Sequence, residues 1–110
     1  MKIKLPPNYS LSGPYIKYSS PYGKVVESMN RQEWFLSRHK VPESELKKIK
    51  FKPMAEHYRK HGDTIGHIEK FDNQPNRYIL PQTYPTIEFK SLQKIVDYLI
   101  DNHGKISYCS

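Results

Sequence analysis

The chain reads as a small α+β domain: short helices, then a β-hairpin, then a C-terminal amphipathic helix, with an extended N-terminal arm ahead of them. Three observations predict this. Residues 64–71 (TIGHIEKF) and 77–80 (RYIL) are β-rich runs separated by the turn-forming DNQPN of residues 72–76. Leu92, Ile95, Val96, Leu99 and Ile100 fall at i, i+3, i+4, i+7 and i+8, one wide apolar stripe. Residues 1–24 show no helical period and combine prolines, small turn residues and spaced aromatics.

The division expected is an extended basic Tyr/Pro-rich arm over 1–24 and an α+β domain over 25–110. Leu5, Tyr9, Leu11, Tyr15, Ile16, Tyr18 and Tyr22 would anchor the arm as a strap. A helix is expected over Arg31–Lys40. Asn30-Arg31-Gln32-Glu33 fits a capping box, and Met29 and Trp34 stand where a hydrophobic staple would. Pro42 ends that helix by pushing Val41 out of helical geometry.

A second helix is expected from Glu43 to about Lys50, although Lys48–Lys52 also alternates like a strand; in both cases the lysines face solvent. Pro53 and Gly62 bracket a third helix, with Arg59, Lys60 and His61 favourable at its C-terminal end. Pro81 and Pro85 confine the segment after Leu80 to an edge strand or loop. Ser91 caps the last helix and Gly104 stands just past its end, with a short edge strand expected over Ile106–Tyr108.

Composition narrows the function classes. With 36% hydrophobic residues and a formal charge of +7, the core of this 110-residue chain is modest, and the mean hydropathy is −0.80. Residues 1–50 carry ten Lys/Arg against four Asp/Glu, whereas residues 51–110 carry eight against seven. That asymmetry points to an anionic partner for the first half. Nine tyrosines supply rigid contact area with a hydrogen-bonding tip.

The lone Cys109 forms no internal disulfide, which fits a reducing compartment. No apolar run approaches the roughly 20 residues of a membrane span. The expected location is intracellular and cytoplasmic, with an organelle matrix as the alternative.

Catalytic chemistry has no sequence support: there is no glycine-rich phosphate loop, CxxC, HExxH or nucleophile elbow. His57 and His61 stand at i, i+4, which is metal-ligand spacing, but no third ligand is near in sequence. No cofactor, metal or catalytic residue is therefore expected.

Two stretches suggest binding. Phe35, Leu36, Val41, Leu46 and Ile49, with Lys47, Lys48 and Lys50 outward, make residues 31–50 resemble a helix-turn-helix. Gly66-His67-Ile68, Tyr78-Ile79-Leu80 and then Phe89-Lys90-Ser91-Leu92-Gln93-Lys94-Ile95-Val96-Asp97-Tyr98 make residues 66–108 resemble the C-terminal half of a Src homology two domain. That resemblance implies phosphotyrosine-peptide binding through Arg38, in Phe35-Leu36-Ser37-Arg38, with His67 lining the site. The two readings make opposite demands on residues 31–38, a helix in one and a strand in the other.

The leading expectation is a non-catalytic protein that docks on nucleic acid or a ribonucleoprotein. Its contact residues would be Lys17, Lys24, Lys47, Lys48, Lys50, Lys52, Arg59 and Lys60, with Tyr15, Tyr18 and Tyr22 stacking on bases or burying against protein. The alternatives are a small subunit or phage-type effector strapped by its N-terminal arm onto a large protein assembly, and the phosphopeptide module.

Overall fold

The computed structural model describes residues 3–17 and 30–106. Lys24, Tyr18, Tyr22, the staple residue Met29 and most of the expected 106–108 strand lie outside the described residues. Five strands form one antiparallel sheet in sequence order: β1 (Tyr9–Lys17), β2 (Arg31–Arg38), β3 (Asp63–Phe71), β4 (Tyr78–Leu80) and β5 (Ile87–Phe89). Two helices, α1 (Glu43–Leu46) and α2 (Lys52–His61), are inserted between β2 and β3, and α3 (Leu92–Asn102) comes after β5.

The clearest departure from expectation is β2. Residues 31–38 form a central strand paired to β1 on one side and β3 on the other, not the helix that the capping box implies. The helix-turn-helix reading loses its first helix with it. The physical reason is tertiary. A cap contributes about 1 kcal/mol, while a strand between two partners satisfies its backbone on both edges and buries its apolar face in the core. Trp34 and Leu36 are buried on one face, and Glu33 is buried on the other.

The helix expected over 43–50 is also shorter, ending at Leu46 and continuing as turns. The third helix, the hairpin and α3 form as expected. In α3 the Ser91 hydroxyl accepts from the Lys94 amide at 3.2 Å.

One sheet face is covered by α3. Ile95, Val96 and Leu99 are fully buried against Trp34, Leu36, Ile65, Ile68 and Leu80. Gly66 sits opposite Leu36 in the β2–β3 ladder. A side chain there would meet Leu99 Cδ1 at 2.4 Å, so the bare backbone lets the helix seat closely on the sheet.

Residues 3–17 of the expected arm are part of this body. Residues 9–17 are the edge strand β1, whose register shifts between Ser12 and Tyr15. Pro14 falls at that irregularity on an edge, where a missing amide donor is tolerated. Ile3, Leu5, Tyr9 and Leu11 pack on the core. The Lys4 backbone exchanges two hydrogen bonds with the Gln93 side chain on α3, at 2.8 and 3.0 Å. Of the strap anchors expected from sequence, Leu5, Tyr9 and Leu11 therefore pack on this chain's own core, while Tyr15 and Ile16 are exposed.

Candidate nucleic-acid interface

The α1–α2 excursion concentrates the basic charge. Residues 39–62 hold seven Lys/Arg against three Asp/Glu. What matters is how those acids are used, and both arginines of this corner take them.

Arg38, 5% exposed at the end of β2, donates Nε and Nη2 to Asp63 at 2.9 and 2.8 Å. It also donates Nη1 and Nη2 to Glu45 at 2.9 and 3.1 Å. Arg59 on α2 donates Nε and Nη2 to Glu43 on α1, both at 3.1 Å, and Nη1 to Glu56. These forks fasten α1 to the sheet and α2 to α1.

The titration behaviour has its origin in the same contacts. Hydrogen bonds from Arg59 hold the Glu43 carboxyl below its ordinary value, and those from Arg38 do the same for Glu45. Both guanidiniums are pushed up, Arg38 chiefly by its bond to Asp63 and Arg59 chiefly by its bond to Glu43.

With Glu43, Glu45 and Glu56 paired to arginine, Lys47, Lys48, Lys50, Lys52 and Lys60 are exposed. None of these five is ion-paired within 4 Å among the described residues. Leu46 is the apolar peg beneath them, 2% exposed. Helix α2 buries no residue at all. Phe51, which precedes α2 in extended conformation, is 64% exposed, and Met54 one turn later is 45% exposed.

The remaining expected contact residues are placed elsewhere. Arg59 is engaged by carboxylates. Lys17 lies 3.6 Å from Glu33 and pairs with Arg31 across the β1–β2 ladder. That position is seven residues from the Arg38 end of β2, about 23 Å at strand rise, so Lys17 is not part of the α1–α2 patch. Tyr15 is exposed beside the Phe35 ring, with centroids 5.9 Å apart.

The phosphopeptide pair is not assembled. By strand alternation Arg38 shares a face of β2 with Trp34 and Leu36. His67 stacks on Phe35, which lies on the opposite face, with centroids 4.9 Å apart. Arg38 thus points its fork at two carboxylates on the side away from His67.

A three-donor cluster missed by sequence reasoning occupies that opposite face. Glu33 on β2 faces Glu69 on β3, and with His67 their ligand atoms lie within 4.8 Å of one another. Arg31 Nε reaches Glu69 at 3.1 Å and Glu33 at 3.4 Å, and Lys17 reaches Glu33. The charge of both carboxylates is already matched, so the cluster serves as an ion-pair network tying three strands. Its sequence signal is the charged residue at every second position of two β-runs (Arg31 and Glu33; His67 and Glu69), legible once residues 31–38 are read as a strand. His57 and His61 lie 4.9 Å apart, centroid to centroid, on exposed α2 and are not part of this cluster.

Comparison with protein-family models, curated proteins and solved structures returns no match. No helix among the described residues is long and apolar enough to cross a membrane.

Proposed function

We propose that the chain is a non-catalytic nucleic-acid-binding protein that grips phosphates with the α1–α2 excursion. The observation that carries the reading is the division of labour among its cations. All four arginines of the sequence are held by carboxylates: Arg31 by Glu33 and Glu69, Arg38 by Glu45 and Asp63, Arg59 by Glu43 and Glu56, and Arg77 by Glu88.

The exposed positive charge of the excursion is therefore lysine. Lysine is a compact point charge suited to phosphate oxygens, whereas base edges are read by forked donors such as arginine. Binding of this kind is independent of sequence and strongly dependent on salt, because each neutralised phosphate releases a counterion.

The test is a fluorescence-anisotropy titration of the full chain with labelled random-sequence oligonucleotides. Raising salt from about 50 mM to about 200 mM should weaken binding of single strands by roughly 50- to 130-fold, as expected for about four to five phosphate contacts. Absence of binding at the lower salt, or binding indifferent to salt, contradicts the proposal.

A further inference from the structure

The geometry points to single-stranded nucleic acid as the ligand of this patch, with Phe51 as the stacking platform for an unpaired base; this rests on the phosphate-binding reading above. Phe51 is the most exposed aromatic in the excursion, at 64%. It is flanked in sequence by Lys50 and Lys52, both exposed, with Lys47 and Lys48 one turn earlier.

The backbone fixes its station. Phe51 is extended at the start of α2, and its carbonyl accepts from the Met54 and Ala55 amides at 3.1 and 3.2 Å. The ring thus stands at the junction of two helices, with Met54 exposed one turn on. Leaving a phenylalanine so bare costs apolar hydration that the fold does not recover. A ring among lysines matches a ligand with alternating phosphates and aromatic faces.

Duplex does not offer that match, since its bases are already stacked on one another. A single strand presents them, and stacking on an aromatic side chain is sequence-tolerant because every base has a π-face. The lack of a free arginine fork points the same way, since groove readout of duplex relies on such donors.

The experiment compares three labelled 12-mers with the full chain at one salt concentration: oligo(dT), an abasic strand of the same length, and a duplex. The wild type should prefer oligo(dT) over the abasic strand by about tenfold, the scale of one stacked base. Phe51→Ala should erase that preference while leaving abasic binding unchanged, and Phe51→Trp should restore it. The ring is exposed and the Ala variant removes no buried contact, so its melting temperature should match the wild type.

Equal binding of oligo(dT) and abasic strand by the wild type, retention of the preference by Phe51→Ala, or tighter binding of duplex overturns the stacking role while leaving phosphate binding intact. Failure to bind all three removes the parent reading. A vesicle arm with about one-third phosphatidylserine completes the set. Phe51-dependent sedimentation with vesicles, stronger than oligonucleotide binding, assigns the patch to a lipid surface and overturns the inference.

Discussion

Replacing Arg38 with methionine should lower stability by about 3 kcal/mol, toward the low end of the cost of breaking a buried ion pair from one side. The side chain of Arg38 is 5% exposed and its fork makes four hydrogen bonds, all of which the substitution removes. The partners set the size of the loss. Asp63 is 20% exposed and Glu45 43% exposed, so both carboxylates recover some hydration once the guanidinium is gone. For a chain of this length the melting temperature should fall by about 12 °C or more.

The same variant has a pH signature. Arg38 holds the folded-state pKa of Glu45 below its ordinary value of 4.5. A depressed folded pKa contributes stability that is present above the unfolded value and lost as pH falls through the folded one. Urea melts of the wild type should therefore weaken as pH drops below about 4.5. Arg38→Met should show a smaller acid-induced loss, because its Glu45 no longer titrates low. An identical acid dependence in both proteins would show that the Arg38–Glu45 bond adds nothing in solution.

Gly62→Ala should cost a comparable amount, about 3 kcal/mol, through the backbone. Gly62 ends α2 with φ of 78° and ψ of −167°, a region that only glycine occupies readily. The space is closed as well. A Cβ would lie 1.9 Å from the Arg38 carbonyl oxygen and 2.9 Å from that of His39. Neither atom can rotate away as a flexible side chain would, so the chain must shift where α2 enters β3.

Because Gly62 faces the Arg38 backbone and the Arg38 side chain holds the next residue, Asp63, the two substitutions disturb one junction and their effects should not add. The double variant should lose less than the sum of the singles in denaturant melts. Strict additivity would show that the two positions act independently.

This corner also explains what sequence could and could not reveal. The hairpin and α3 were legible because their patterns are local: period two on β3, a wide stripe on α3, and a serine cap that forms its bond. Residues 31–38 were not, because Asn30-x-x-Glu33 mimics a helix start. The strand is selected by neighbours far along the chain, β1 and β3.

The same non-locality hid the Glu33–His67–Glu69 network, whose members come from strands some 35 residues apart in sequence. The lysine patch was legible as a charge run. That its acids are claimed by Arg38 and Arg59 was not, since Asp63 and Arg59 reach their partners only when α2 folds back on α1. Sequence alone accordingly groups Arg59 with the exposed lysines and assigns Arg38 to phosphopeptide chemistry.

The central claim, that the α1–α2 lysines are the phosphate contacts, is met most directly by the salt slope of one multiple variant. For the wild type, log affinity for a single-stranded oligonucleotide should fall against log salt with a slope of about −3. Lys47→Gln, Lys48→Gln, Lys50→Gln and Lys52→Gln combined should remove about 0.7 per lysine and bring the slope close to zero, with the melting temperature unchanged, since all four side chains are exposed. A variant that keeps the wild-type slope and affinity would place the phosphate contacts elsewhere and contradict the account.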